Sequence, residues 1–521
     1  MKTKVSRFAK VVCFLLVATL MVASLNSLFK PKWLENRWEP SKTASSFYDL
    51  RKNSTEVLFF GTSQVAASIN PFQLYEEYGI SAYNLGIMSQ PIQATYFWLK
   101  EVTKTQQPKL AVIEVKAMAR VGLKEEEKAR KSFDYMKDNL NKLQYAFEYN
   151  KAQDSVSGKN EIYLWDYLFP LSAYHTRWSS LQQDDYEFCL GENKTNTRGF
   201  ATLTTYYKDK STYTTEDYLK GKYDGFVVKK DDKEDVHETI VDYDKKLLDY
   251  AKEQGIELLF IKTPDYRWSV KQHNFVKGLA EEYDIPFIDF NLKDMRNEIG
   301  FEFIDDEADE IHANIYGAQK VTGYVGKYLN ENYELTDYRT TEGDVKNDLE
   351  EELVNYQLTM KDAKLSFERD FDTYLELIND EDYSFIIAGG SNVKNVPFTD
   401  AQKQILMNYG VGEELFKETD YGANFILARD SGKSEFKYEK QNSLFEKAIY
   451  LGGTFADGTD YSVNAAEKYS SYRFNDNGFT LVGTDCINII VYNNRLHEVA
   501  DSTYLYSNDE GNGVVMGRKE L

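Results

Sequence analysis

Short, continuous apolar runs alternate with helical segments in the first part of the chain, and they restrict its fold more than any other feature. Four runs are predicted strands: 57–60 ("VLFF"), 109–115 ("KLAVIEV"), 256–264 ("IELLFIKTP") and 285–290 ("IPFIDF"). A shorter strand is predicted at 82–85. A strand that is apolar along its whole length is buried on both faces, which is typical of a parallel sheet with helices on each side. The order predicts an α/β fold with three layers.

The alternation stops at about residue 119 and resumes at about 238, which predicts a helical insertion over 119–238. After a polar stretch, apolar side chains recur at three, four and seven residues over 345–379, as on one helix stripe. Strands and a helix follow in 380–521, which predicts a smaller α+β domain. Because 521 residues are too many for one core, at least two domains are predicted. The first is predicted to span 54–336, and a connecting helix over 345–379 is predicted to join it to the second.

The N-terminus carries four basic residues at positions 2, 4, 7 and 10, followed by an apolar run over 11–25. This arrangement predicts a signal-anchor helix over 1–30, with one crossing of the cell membrane and the remaining chain outside the cytoplasm. The small residues Val22, Ala23 and Ser24 leave a second interpretation open, in which a signal peptide is cleaved and the protein is secreted.

Charge and cysteine content exclude two classes of protein. The net charge of −22 argues against a nucleic acid as partner, because phosphates require a basic surface. Only three cysteines are present, and one of them, Cys13, lies in the N-terminal apolar run, so no disulfide framework is predicted. Neither a cofactor nor a metal is expected.

The first predicted strand ends at "GTS", residues 61–63. This turn either caps the helix that follows or presents Ser63 as a nucleophile. A serine nucleophile needs a histidine base that is oriented by a carboxylate. His312, three residues after Asp309, precedes the last helix of the first domain, at the sheet edge where α/β proteins place their sites. Asn314 could equally cap that helix, and structural or surface roles are expected for His175, His237, His273 and His497.

With these residues the chain resembles the SGNH (GDSL-type) hydrolase superfamily. The "GTS" turn is similar to its first block with Thr62 in place of Asp, Gly86 in "YNLGIMSQ" to its second, and Asp309 with His312 to its last. The resemblance implies a catalytic triad in which Ser63 is the nucleophile, His312 the general base and Asp309 its orienter. It also implies an oxyanion hole formed by the backbone N–H groups of Ser63 and Gly86.

The third block of the superfamily, Gly-x-Asn-Asp, is missing. The third strand runs instead into "EVKA", residues 114–117, which contains no Asn to donate to the oxyanion. Losing one such donor costs about 100- to 1000-fold in rate. After the fourth strand, Thr263, Pro264 and Arg267 are expected to be structural, whereas Arg177 and Trp178 of the insertion could line the cleft.

The chain most resembles membrane-anchored members of this superfamily that act in cell-envelope pathways, such as the D-alanyl-lipoteichoic-acid biosynthesis protein and the alginate O-acetylation proteins. These members also tend to lack the third block. The resemblance implies an extracytoplasmic serine esterase or O-acyltransferase that acts on a cell-envelope polysaccharide or teichoic-acid-like polymer. A multi-spanning membrane acyltransferase is then an expected partner.

Two alternatives to this function remain. The first is a non-catalytic scaffold or glycan-binding protein of the envelope. The second is a metal-dependent deacetylase, whose cation would be held by Asp305, Asp306, Asp309 and His312.

The stretch "GTDCINIIVYNNRLHEVADSTYL" in the last domain resembles the core of the interleukin-like inducer (PANDER-like) domain. The similarity lies in 487–492 and 499–502, and Cys486 stands where glycine is usual. It implies carbohydrate binding, which a eukaryotic relative of this domain performs. The residues themselves predict only a buried strand and a turn at Asn493 and Asn494, so a packing or oligomerisation module remains equally open.

Overall fold

The computed structural model of the protein describes residues 2–35, 37–122, 126–157, 164–207, 232–390, 396–417, 423–440, 448–466, 469–475, 477–482 and 487–518. The predicted insertion is described only in part, because 208–231 lie outside these ranges, as does Cys486. The chain divides into two compact units, Met1–Leu353 and Val354–Leu521.

The first unit contains a five-stranded parallel sheet with the strand order β2-β1-β3-β4-β5. Every residue of the three strands β1, β2 and β3 is buried, as expected of a sheet that is covered on both faces. The predicted parallel sheet is confirmed. The strands are β1 (Val57–Gly61), β2 (Ala82–Gly86), β3 (Leu110–Glu114), β4 (Glu257–Lys262) and β5 (Phe287–Asp289).

Helices cover both faces of this sheet, because alternate residues of each strand enter different cores. Leu58 and Phe60 pack with Trp98 in one core, and Val57 and Phe59 lie in the other. This arrangement confirms the predicted three-layer α/β class. The helices are α1 (Lys2–Phe29), α2 (Pro40–Asp49), α3 (Ser63–Ser68), α4 (Pro71–Tyr78), α5 (Ile92–Val102), α6 (Glu126–Phe133), α7 (Leu140–Ser157), α8 (Leu164–Leu168), α9 (Pro170–Tyr174), α10 (Gln183–Leu190), α11 (Glu238–Glu253), α12 (Val270–Tyr283), α13 (Lys293–Ile299), α14 (Phe303–Asp306) and α15 (Ile315–Asn332).

The described part of the insertion includes helices α6 to α10, a 3₁₀ turn at His175–Ser179 and a segment without regular structure, 195–207. This segment follows the edge of β2, where the Asn84 N–H donates to the carbonyl of Arg198 (3.0 Å). Only glycine fits at Gly199, because its φ is +88° and a Cβ there would lie 2.0 Å from the Asn84 carbonyl oxygen. The segment therefore covers one edge of the sheet.

The N-terminal helix α1 is long and apolar enough to cross a membrane over Ala9–Phe29, with a mean hydropathy of 2.3, and none of that stretch is buried. It is the one such helix among the residues that the structure describes. A signal anchor and a cleavable signal peptide both fit this finding.

The second unit has an α+β architecture. Its six-stranded antiparallel sheet has the order β15-β14-β13-β6-β7-β8, and a four-stranded antiparallel sheet has the order β12-β11-β10-β9. The strands are β6 (Tyr383–Gly389), β7 (Ala423–Asp430), β8 (Lys433–Lys440), β9 (Ile449–Thr454), β10 (Asp460–Ala465), β11 (Tyr469–Phe474), β12 (Asn477–Val482), β13 (Ile487–Asn493), β14 (Glu498–Ser507) and β15 (Val514–Arg518).

The six-stranded sheet is also covered on both faces. Phe385 and Ile387 of β6 pack against helices, and Ile386 packs against the four-stranded sheet. The helical stripe predicted over 345–379 lies on two helices, α16 (Asp344–Phe367) and α17 (Phe371–Ile378), since Asp370 caps the second through the Thr373 N–H (2.9 Å). A further helix, α18 (Asp400–Asn408), follows β6.

Candidate active site

The turn at the end of β1 brings Ser63 to the first position of helix α3. Gly61 has a φ of +152°, and a Cβ at this position would lie 2.7 Å from Glu114 Cβ, so the turn requires glycine. Thr62 is the N-cap of α3, and its hydroxyl oxygen accepts a hydrogen bond from the Gln64 N–H (3.3 Å). The turn therefore both caps the helix and presents Ser63.

Ser63, His312 and Asp309 form a continuous hydrogen-bonded chain. Ser63 Oγ lies 2.7 Å from His312 Nε2, and His312 Nδ1 lies 2.7 Å from Asp309 Oδ2. Ser63 is buried, and the Asp309 side chain is half-exposed. The arrangement is that of a serine with a histidine base and a carboxylate orienter, although 249 residues separate the serine from the histidine.

The loop that carries His312 is ordered by its own backbone. Asp309 Oδ1 accepts hydrogen bonds from the N–H groups of Ile311 (2.8 Å) and His312 (3.1 Å). Burial alone would raise the pKa of Asp309, but the hydrogen bond and charge of His312 and these two N–H groups lower it overall. Asp309 is thus held as a carboxylate that can stabilise a protonated His312.

Neighbouring side chains hold this loop and its imidazole from two sides. Trp38 packs edge-on against His312, with ring centroids 5.0 Å apart. Arg267 Nε donates to Glu310 Oε2 (2.7 Å), and the Tyr207 hydroxyl donates to Glu310 Oε1 (3.0 Å). Arg267, which was expected to be structural, therefore supports the loop between Asp309 and His312.

Glu307, two residues before Asp309, is a fully buried carboxyl group. Neither of its oxygens has a hydrogen-bond partner among the residues that the structure describes. Burial raises the pKa of Glu307 well above its usual value, and the charges of Asp265 and Asp309 raise it further. Both burial and these neighbouring charges therefore favour the protonated form of Glu307 behind the loop.

Glu114 occupies the place where the third block would supply an Asn. It ends β3, is fully buried, and its Oε2 accepts a hydrogen bond from the Thr62 hydroxyl (3.2 Å). An Asp at position 62 would place a second carboxylate against Glu114, whereas a threonine can donate to it. The two departures from the superfamily pattern are thus in direct contact, and each accommodates the other.

A buried lysine pairs with Glu114. Lys262, at the end of β4, lies 3.0 Å from Glu114 Oε1 and donates to Gln64 Oε1 (2.7 Å), so it connects β3, β4 and helix α3. Lys116 pairs with Asp265 on the same side (2.7 Å). Burial would raise the pKa of Asp265, but the charges of Lys262 and Lys116 lower it to about 2. Sequence reasoning missed Lys262 and Gln64, because a lysine that ends an apolar strand is a weak signal.

Gly86 lies beside Gly61 at the end of β2, next to the Ser63 turn. Its N–H donates to Asn84 Oδ1 (2.9 Å), and the Asn84 amide donates to the carbonyls of Val65 and Ile69 (both 2.9 Å). Asn84, which sequence reasoning missed, therefore ties β2 to helix α3. The Gly86 N–H, predicted as an oxyanion donor, is engaged in this bond.

Two other predicted residues, Arg177 and Trp178, lie elsewhere. Arg177 donates to the Phe29 carbonyl (2.8 Å) and pairs with Asp185, and Trp178 is exposed, so both belong to the region around the end of α1. Segment 195–207 contacts the site elements instead, because Ala201 donates to the Ala66 carbonyl (2.8 Å).

The carboxylates that could have held a metal ion do not converge on one point. Asp306 Oδ2 accepts a hydrogen bond from Lys320 Nζ (2.6 Å), while Asp309 is engaged with His312. Within the described ranges, no group of three or more His, Cys, Asp or Glu residues is arranged to hold a metal ion. Asn314 caps α15 through the N–H groups of Tyr316 and Gly317.

Replacing Gly86 by Ala is expected to disturb the site through packing. The new Cβ would lie 2.4 Å from Val65 Cγ1 and 2.9 Å from the Ala66 nitrogen, so β2 and α3 must separate. We expect a loss of about 1–3 kcal/mol in the free energy of unfolding, as for other overpacked cores. Gly323→Ala is the matched control, because its Cβ would meet nothing closer than 3.5 Å. Equal thermal unfolding of the two variants would contradict the prediction.

Comparisons with known proteins add little to this geometry. No protein-family model matches the chain, and no curated protein matches it. The crystal structure of a protein from Bacteroides fragilis that was assigned as an acylhydrolase is 12% identical in sequence to this chain. The match covers 56% of this chain and 95% of that chain, with a TM-score of 0.25. The crystal structure of a protein from Parabacteroides merdae that was assigned as a GDSL-like lipase is 13% identical in sequence to this chain. The match covers 54% of this chain and 98% of that chain, with a TM-score of 0.24. Similarities of this size do not indicate a function for this chain.

Proposed function

We propose that the protein is an extracytoplasmic serine esterase or O-acyltransferase whose triad is Ser63, His312 and Asp309. The single observation that carries the proposal is the 2.7 Å distance from Ser63 Oγ to His312 Nε2, with Asp309 at 2.7 Å from the other ring nitrogen. A hydroxyl within hydrogen-bond distance of an oriented imidazole can be deprotonated as it attacks.

The reaction proceeds in two steps. Ser63 Oγ attacks the carbonyl carbon of an ester while its proton passes to His312 Nε2, and Asp309 stabilises the imidazolium. The bond to the leaving alcohol then breaks, and His312 returns the proton to the alcohol oxygen, which leaves an acyl group on Ser63. Water or an acceptor hydroxyl attacks this acyl group in the same way and regenerates the serine.

The oxyanion needs backbone donors, because the two carboxyl oxygens of Glu114 are already engaged with Thr62 and Lys262. As the first residue of α3, Ser63 has an N–H group without an acceptor inside the helix. The Gly86 N–H can serve as the second donor only by exchanging its bond to Asn84 Oδ1 for the oxyanion. An incomplete oxyanion hole predicts a slow enzyme with a specialised substrate.

For the substrate we propose a cell-envelope polysaccharide or teichoic-acid-like polymer. This choice rests on the resemblance to membrane-anchored envelope members and on helix α1, which we infer to be an uncleaved signal anchor in the cell membrane. Transfer of the acyl group to the polymer would require a multi-spanning membrane acyltransferase as its supplier. For the second unit, glycan binding and a packing or oligomerisation role remain the two proposals.

The test is labelling of the full chain with a serine-directed fluorophosphonate, read by mass spectrometry. We expect one adduct on Ser63, and no adduct on the Ser63→Ala variant. A folded protein whose Ser63 stays unlabelled would contradict the esterase proposal.

A non-catalytic envelope scaffold is the second candidate, and the engaged Gly86 N–H and the buried Glu114 favour it. The two candidates differ in a cell that depends on the protein. A scaffold keeps its role when Ser63 is replaced by Ala, whereas an enzyme loses it.

A further inference from the structure

The end of helix α1 is joined to the insertion at three points. The Leu171 N–H donates to Asn26 Oδ1 (2.9 Å), Arg177 donates to the Phe29 carbonyl (2.8 Å), and Cys189 Sγ lies 3.4 Å from Ser27 Oγ. These contacts belong to α9, to the short 3₁₀ turn His175–Ser179 and to α10. We call residues 164–190 the collar.

Polar side chains hold the collar against the end of α1. Lys32, which is almost fully buried, donates to the carbonyls of Ser27 (2.7 Å) and Leu28 (3.3 Å) at the C-terminal end of α1. Arg177 is itself fixed by Asp185 (2.8 Å). The collar is therefore held against the end of α1 by side-chain hydrogen bonds and by the ion pair between Lys32 and Asp185 (3.6 Å).

Large apolar side chains of the collar are exposed next to these contacts. Phe169 is 49% exposed, Trp178 follows Arg177 and is 72% exposed, and Leu190 follows Cys189 and is 86% exposed. Trp165, 64% exposed, stacks on Phe169 with ring centroids 5.5 Å apart. Single exposed apolar side chains are ordinary, but four within the segment that contacts the end of one apolar helix indicate an interaction surface.

The length of α1 indicates what covers this surface. The 21 residues of Ala9–Phe29 rise about 32 Å, close to the thickness of a bilayer's hydrocarbon core. If the charged N-terminus lies on one side, Phe29 lies at the opposite boundary. The collar residues bonded to Asn26, Ser27 and Phe29 must then be at that boundary too. Tryptophan and other aromatic side chains are enriched there, because they are apolar with a polar edge.

We propose that the collar is a membrane-interface platform: Trp165, Phe169, Trp178 and Leu190 insert between the lipid headgroups and acyl chains of the bilayer that α1 crosses. This inference rests on the proposed uncleaved anchor and is independent of the chemistry at Ser63. It implies that the first unit is held against the membrane in one orientation.

The platform can be tested with the full chain reconstituted into phosphatidylcholine vesicles, with and without bromine atoms on the acyl chains near the headgroup. Bromine quenches tryptophan fluorescence on contact. Because Trp178 is in contact with lipid in the proposal, Trp178→Phe should lower the bromine-quenchable emission at least about twofold more than Trp98→Phe does. Trp98 is fully buried in the core and is the matched control.

Equal losses in the two variants, or an absence of quenching, would overturn the platform and would assign this surface to a protein partner instead. Trp178→Phe is expected to unfold at the wild-type temperature, because an exposed side chain contributes little to the core. That result excludes misfolding as the cause of a change in quenching. Fluorophosphonate labelling of Ser63 in the same vesicles is read separately. Labelling without quenching removes the platform alone, and quenching without labelling removes the esterase alone.

Discussion

Replacing His312 by Ala should lower the rate constant for fluorophosphonate labelling of Ser63 by at least about 1000-fold, as the loss of a triad histidine does elsewhere. His312 Nε2, 2.7 Å from Ser63 Oγ, is the group placed to take the hydroxyl proton. Without it the serine remains a neutral alcohol, which is a poor nucleophile. The loss of unlabelled protein with time, measured over a range of probe concentrations, gives the rate constant.

Two controls separate chemistry from folding in this variant. His175→Ala removes an exposed histidine whose Nδ1 lies 2.9 Å from the Ser172 carbonyl oxygen, and it should label at the wild-type rate. Added imidazole should restore part of the labelling in His312→Ala, because the truncated side chain leaves space for a free base. Unchanged labelling of His312→Ala would show that His312 is not the base.

Replacing Lys262 by Met is expected to lower the free energy of unfolding by about 3–5 kcal/mol, since it leaves a buried carboxylate without its partner. Lys262 and Glu114 are both fully buried at 3.0 Å. Methionine fills a similar volume but cannot neutralise Glu114 or donate to Gln64 Oε1. Chemical denaturation of the full chain in detergent, followed by fluorescence, measures the change.

The same sheet contains a matched pair near its opposite end. Lys109 pairs with Glu56 at 2.8 Å, but its side chain is 47% exposed, so Lys109→Met should cost only about 0–1 kcal/mol. Adding Glu114→Gln to Lys262→Met should recover part of the loss, because the buried charge is then removed. If Lys262→Met were as mild as Lys109→Met, the buried pair would not support the turn that carries Ser63.

The parallel sheet was predictable because short apolar runs alternate with helical segments, and that pattern can be read from the sequence alone. The half-buried strands of the second unit were harder to predict. In β8, "KSEFKYEK", two apolar side chains stand among charges, and they become a strand only by pairing with β7. Such pairing is a long-range property that no local pattern contains.

The proposed triad was accessible to sequence reasoning because strand ends and helix starts meet at one edge of a parallel sheet. Its surroundings were not. Lys262 belongs to an apolar run, and only the fold brings it to Glu114. Asn84 and the Trp38 ring act through tertiary contacts with the site elements, and neither lies in a motif.

Segment 195–207 has a consequence for the solubility of the protein. β2 is the outermost strand of the first sheet, and an unpaired outer strand offers its peptide groups to strands of other molecules. The hydrogen bond from the Asn84 N–H to the Arg198 carbonyl lies at this edge of β2, so the insertion hinders association between copies of the protein. A shortened form without the insertion would therefore tend to aggregate, whatever happens to its chemistry.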